Sequence, residues 1–109
     1  MSQHPTDNHV LVNGLRMHYR DWGGSGDLVV LLHGLASNCR FWDLAAPLLT
    51  SNFTVVALDQ RGHGRTDKPD TGYDFPTVAD DILGFLQVIG AEQPLIVGHS
   101  WGGNVAFEL

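Results

Sequence analysis

The sequence predicts an α/β fold built on a mostly parallel sheet, with an antiparallel hairpin at its amino-terminal edge. Three observations predict it. Apolar runs without alternation recur at "LVVLLH", "FTVVALD" and "PLIVGH", as expected of parallel strands covered on both faces. Between them lie segments with a helical apolar period, so successive strands are joined by crossover helices. Ahead of them all, "HVLVNGLRMHYRDWG" sets Asn13-Gly14 between two β-rich runs, a strong short-range signal for a tight hairpin turn.

The elements follow in order. In the second hairpin strand Leu15, Met17 and Tyr19 alternate with Arg16, His18 and Arg20, which predicts one apolar and one wet face. After the loop "GGSGD" the first buried strand runs to His33. From Phe41 onward Leu44, Ala45, Leu48 and Leu49 fall on one side of a 3.6-residue period, which predicts an amphipathic helix capped by Ser37 or Asn38. "FTVVALD" is the second buried strand and "QRGHGRTDKPDTGYDFP" a long loop. Val78, Ile82, Phe85, Leu86 and Ile89 then mark a helix, capped by Thr77 and ended near Gly90. The third strand, "PLIVGH", leads into helical spacing at Val105, Ala106 and Leu109. Ligands of such sheets sit beyond the carboxyl ends of the strands, so the loops after His33, Asp59 and His99 are the ones to inspect.

Composition narrows the function classes. With 109 residues and 43% hydrophobic content, residues 1–109 are expected to form part of one globular domain. Twelve acidic residues against six Lys and Arg give a net charge of −6, which leaves no basic footprint for nucleic acid or anionic lipid. The opening "MSQHPTDNHV" lacks the apolar core of a secretory signal, and no apolar stretch approaches the roughly 20 residues of a membrane span. A cytoplasmic protein without a membrane partner is expected. The single Cys39 cannot form an internal disulfide, and the histidines at positions 4, 9, 18, 33, 63 and 99 show no close metal-ligand spacing, so neither a metal nor a cofactor is expected. Gly62-His63-Gly64 begins a G-x-G-x-x-G, but Asp67 stands at the third glycine position, so the phosphate-cradling loop is incomplete.

The chemistry centres on Ser100. Gly98-His99-Ser100-Trp101-Gly102 fits G-x-S-x-G, directly after a predicted strand and directly before a predicted helix. So sharp a strand-to-helix turn strains the apex residue, and side chains two positions to either side collide unless they are glycine. The turn lifts the hydroxyl out of the sheet beside a helix N-terminus, where free N–H groups favour developing negative charge. A tetrahedral oxyanion needs a second donor. "HGLASN" offers one, because Gly34 lets the chain turn sharply and brings the Leu35 N–H alongside that of Trp101.

With "LLHG", "VVALDQRGHGRTDKP" and "VGHSWGG" in this order and spacing, the chain resembles the α/β-hydrolase fold superfamily over nearly its whole length. The resemblance implies Ser100 as nucleophile and the Leu35 and Trp101 amides as oxyanion hole. Relatives that open epoxides or remove halogen use Asp at the elbow, so Ser100 implies acyl chemistry on a small ester, lactone, thioester or similar carbonyl substrate. "HGLAS" also lacks the prolines of the "HGGPG" loop of proline iminopeptidases. In this family the order is serine, acid, histidine, and the last two are not supplied before Leu109. His33, His63 and His99 are expected to be structural hydrogen-bonding residues, and Asp59 to shape its loop with Arg61. The simplest expectation is the amino-terminal part of a longer hydrolase. The alternative is a non-catalytic, truncated scaffold that binds a small molecule or a protein partner.

Overall fold

The computed structural model describes residues 4–109. Asn13 and Gly14 take φ of 51° and 78°, the pair of left-handed residues that a type I′ hairpin turn requires. They join β1 (Thr6–Val12) to β2 (Leu15–Gly24) in antiparallel register, Val12 opposite Leu15. β2 runs antiparallel to β4 (Phe53–Leu58), β4 parallel to β3 (Asp27–Leu32), and β3 parallel to β5 (Leu95–Gly98), in the order β1-β2-β4-β3-β5. The expected mixed sheet is therefore observed.

Both faces of β3 and β4 are covered, which is why their apolar runs do not alternate. On one side Val30, Leu32, Val56 and Leu58 pack with Met17 against Val78, Ile82 and Phe85 of α2 (Phe75–Val88) and Val105 of α3 (Trp101–Glu108). On the other, Trp22, Val29, Leu31, Val55 and Ala57 pack against Cys39 and Ala46. β5, expected to be covered on both faces, instead lies at the edge of the sheet among the described residues, and its Leu95 and Val97 are exposed. No helix among the described residues is long and apolar enough to cross a membrane.

The expected helix from Phe41 is not one helix. A 3-10 turn at Cys39–Trp42, capped by the Asn38 side chain, is followed by a separate four-residue α1 (Ala46–Leu49). Pro47 explains the break, because a continuous helix would need its N–H for the Asp43 carbonyl and would drive its ring into that oxygen. The tighter turn also shifts the helical phase. Leu44 and Leu48 point outward, 90% and 79% exposed, while Cys39 and Ala46 are buried.

Two further details differ from expectation. α2 is capped by Asp74, whose carboxylate accepts from the Thr77 N–H at 3.1 Å, so Thr77 lies within the first turn. Its end is as expected: Gly90 at φ 74° lets Ala91 N–H reach the Leu86 carbonyl at 2.9 Å, the six-to-one bond of a Schellman ending. The wet face of β2 also fails at His18, which is 2% exposed because carboxylates meet both of its ring nitrogens.

Phe85 is fully buried and meets Tyr19 edge-on at 5.0 Å between ring centroids. Phe85→Ala is expected to cost about 3–5 kcal/mol in urea-induced unfolding. By contrast Leu83→Ala, on the exposed side of the same helix, should stay within about 0.5 kcal/mol of the parent.

Candidate active site

Only His99 and Ser100 separate the end of β5 from the start of α3. Ser100 has φ 54° and ψ −117°, a backbone state that costs a side-chain-bearing residue about 1–3 kcal/mol. The glycines on either side show what enforces it. A Cβ on Gly98 would stand 2.3 Å from the Gly102 oxygen, and one on Gly102 would stand 2.4 Å from the carbonyl oxygens of both Leu32 and His33. The first turn of α3 thus lies directly on the chain leaving β3. Ser100 is exposed at this corner. Gly102 N–H donates to His99 O at 2.9 Å and Gly103 N–H to Ser100 O at 2.8 Å, whereas the Trp101 N–H, first in the helix, has no acceptor among the described residues.

The loop after β3 comes up against the same corner. A Cβ on Gly34 would lie 3.5 Å from the Ser100 Cβ and 3.3 Å from the His99 Nδ1. A side chain at Gly34 would meet this corner at tight to ordinary contact distance, and the left-handed residue of the turn is Ala36, at φ 63°. Ser37 N–H closes the turn on the Gly34 oxygen at 3.2 Å. Leu35, at the tip, is 66% exposed, and its N–H has no acceptor among the described residues.

His33 is fully buried beneath this turn. A carbonyl only accepts, so its Nδ1–H donates to Gly34 O at 2.7 Å, and its Nε2 accepts the Gln60 N–H at 3.1 Å. Gly34 C=O and Leu35 N–H are opposite ends of one trans peptide, so a bond that fixes the oxygen also aims the N–H. Burial holds the His33 pKa below its ordinary 6.5, against the opposing bond to Gly34. His63 is engaged at both nitrogens too, with Nδ1–H donating to Arg61 O at 2.9 Å and Nε2 accepting from Ala36 N–H at 3.0 Å. His99 is exposed and stacks on Phe41 at 4.5 Å between centroids.

Asp59 shapes its loop as expected, but not with Arg61. Its carboxylate accepts from Cys39 N–H at 2.7 Å, Arg65 N–H at 3.0 Å and His18 Nδ1 at 2.7 Å. Arg61 instead makes a two-pronged bond to Asp81 of α2, at 2.7 and 3.0 Å. Burial pushes the Asp59 pKa upward, and the hydrogen bonds outweigh it, so the group lies below its ordinary 3.8. A Cβ on Gly64 would fall 2.3 Å from that carboxylate, which fixes the second glycine of the loop. Cys39 is buried, and burial followed by the Asp59 charge pushes its thiol up to about 12, so it is no nucleophile at neutral pH.

His18, Cys39 and Asp59 are the group among the described residues whose ligand atoms lie within 4.8 Å of one another. Asp59 already accepts three hydrogen bonds and the thiol is un-ionised, so the cluster is a hydrogen-bonded tie and a poor metal donor set. Reading the sequence did not find His18 or Asp81 as partners. The available signals were a polar residue amid the apolar face of α2, and an acid ending a buried strand.

Residues 27–109 match the family model described as alpha/beta hydrolase fold. The chain belongs to the α/β-hydrolase family. It is 42% identical over 107 residues to a soluble epoxide hydrolase of a Corynebacterium species, covering 98% of this chain and 37% of that protein. It is 38% identical over 103 residues to 2-(acetamidomethylene)succinate hydrolase of Mesorhizobium japonicum, covering 94% and 37%. Among solved structures, the epoxide hydrolase CorEH without ligand superposes with a TM-score of 0.92 at 41% identity, over 96% of this chain and 37% of that one. This α/β-hydrolase chain thus spans little more than a third of the curated relatives it matches.

Two outcomes follow for this chain. Gly102→Ala sets a methyl against two backbone oxygens that cannot swing away; it is expected to lower stability by about 1–3 kcal/mol, read by chemical denaturation. His33 binds a proton less readily folded than unfolded, so the unfolded chain takes up protons first as pH falls below 6.5. Its contribution to stability is full above that value and declines toward the lower folded pKa. A His33→Gln variant, compared with the parent between pH 7.5 and 5, should lack that increment of acid sensitivity.

Proposed function

We propose that this part of an α/β hydrolase carries the nucleophile of an enzyme that cleaves a small carboxylic ester, lactone or related carbonyl compound through an acyl-enzyme. Ser100 Oγ adds to the carbonyl carbon, and its proton passes to a general base. The carbonyl oxygen becomes an oxyanion between the amides of Leu35 and Trp101. Collapse expels the alcohol, and water then cleaves the acyl-serine by the same route in reverse. The acid and the histidine of the triad are expected beyond Leu109, in the family's chain order.

The observation that carries this reading is the exposed Ser100 at φ 54°, next to the first N–H of α3 and to the Gly34 turn. The type of side chain there supports acyl transfer over ring opening. A carboxylate that opens an epoxide leaves an ester, which water cleaves at its carbonyl. A serine that did so would leave an ether, with no carbonyl for water to attack. The likeness to a Corynebacterium epoxide hydrolase is thus one of scaffold, and the Mesorhizobium relative, named for an acetamido substrate, is nearer in proposed chemistry.

A form extending beyond Leu109 and treated with a fluorophosphonate should be labelled at Ser100, and Ser100→Ala should lose that label and at least about 10³ of the kcat for an activated ester. Equal labelling of the two proteins would rule out the assigned nucleophile.

A further inference from the structure

His63 comes from the loop after β4, far along the chain from both oxyanion donors, yet its ring touches the segments that carry each. Its Nε2 accepts the Ala36 N–H at 3.0 Å, and its face lies 5.6 Å from the Trp101 indole between centroids. Ala36 N–H belongs to the Leu35–Ala36 peptide, and Ala36 is the residue held left-handed at φ 63°. The bond therefore fixes the plane on the carboxyl side of Leu35, as His33 fixes the plane on its amino side. The Leu35 N–H lies in the amino-side plane, and holding the carboxyl-side plane as well keeps Leu35 from turning it away.

The imidazole is itself held in one tautomer. Arg61 O can only accept and Ala36 N–H can only donate, so Nδ1 carries the hydrogen and Nε2 the lone pair. Its own N–H is tied to Gln60 O at 2.9 Å, and the His33 ring packs on it at 4.8 Å. The side chain is buried at 8% exposure, so water competes poorly for the Ala36 amide. Nothing about the ring suits proton transfer to substrate, since neither nitrogen is free.

We propose that His63 is a positioning residue for acyl transfer, its neutral Nε2 holding the Leu35–Ala36 peptide so that the Leu35 amide is aimed at the oxyanion before substrate arrives. This rests on the assignment of Ser100, Leu35 and Trp101 above. A donor aimed at the oxyanion acts more strongly in the transition state than on the ground-state carbonyl, so its loss falls on kcat and leaves KM.

The test compares the full-length hydrolase with its His63→Leu and His63→Gln variants. His63→Leu keeps bulk but offers no acceptor. His63→Gln can place an amide oxygen where Nε2 lies. For p-nitrophenyl acetate, His63→Leu is expected to lower kcat by about 10- to 100-fold, below the 10²–10³ of a donor removed outright, with KM within about twofold. A trifluoromethyl ketone, which forms an oxyanion on Ser100, should lose affinity by a similar factor. His63→Gln should recover most of both losses.

A His63→Leu protein that keeps kcat within twofold, or a His63→Gln protein as slow as His63→Leu at equal Tm, overturns the proposal. Should His63→Leu fail to fold, nitrogen-15 NMR of the parent decides: Nε2 unprotonated at pH 7 supports it and Nε2–H overturns it. Fluorophosphonate labelling separates the two levels. Label lost in Ser100→Ala with His63→Leu unimpaired overturns this inference alone, whereas label retained in Ser100→Ala overturns the parent reading as well.

Discussion

The rim of this sheet depends on one close approach, the backbone of Gly102 against the carbonyl oxygens of Leu32 and His33, with Gly98 tucked under the same turn. Because neither residue has a Cβ, α3 can begin only two residues after β5 and still lie on β3. That leaves Ser100 no relaxed backbone state. The strain of about 1–3 kcal/mol is opposed by burial along α3, where Val105 is fully enclosed and Trp101 packs toward Phe75. One buried valine contributes about 1.5–3 kcal/mol by itself, so the helix stays down and the serine stays up.

The loop after β4 is the second organising feature, and it works by polar contacts where the elbow works by exclusion of bulk. Asp59 ties it to His18 of β2 and to the Cys39 amide, Arg61 ties it to Asp81 of α2, and His63 ties it to the turn after β3. Three positions of one loop therefore reach four different parts of the fold. Burying Asp59 is tolerable only because three donors meet its carboxylate, since removing one partner of a buried charge costs about 3–5 kcal/mol. A loop so fixed can hold the left-handed Ala36 in place, which a mobile loop could not.

What was legible in the sequence was set by local chemistry. Unbroken apolar runs gave the parallel strands, Asn13-Gly14 gave the hairpin, and the glycines around Ser100 gave the elbow, because each depends on residues within a few positions of one another. The segment from Phe41 misled for the same reason: its leucines have helical spacing and Asn38 caps its start as expected, but Pro47 divides it and Leu44 and Leu48 turn outward. The polar ties were beyond reach. His18 and Asp59 are 41 positions apart, Ala36 and His63 27, and Arg61 and Asp81 20; only the topology brings them together. His18 read as a wet-face residue because alternation reports which side a residue faces, not what meets it there.

The histidines of the carboxyl rim show how the site divides its labour. His33 and His63 each donate from Nδ1 to a carbonyl and accept a backbone N–H at Nε2. An imidazole so engaged has no lone pair for the Ser100 proton, and protonating it would set two N–H groups against each other. His99 adjoins Ser100, but its ring lies over Phe41. On the proposed acyl-transfer chemistry, the residues from β1 to α3 would supply the electrostatic half, with the Leu35 and Trp101 N–H groups beside an exposed Ser100. A general base needs what these two rings lack, a ring nitrogen whose lone pair is unspent. The proposed base is therefore assigned to a segment outside this cluster, where a triad acid can hold one ring nitrogen and leave the other for the Ser100 proton.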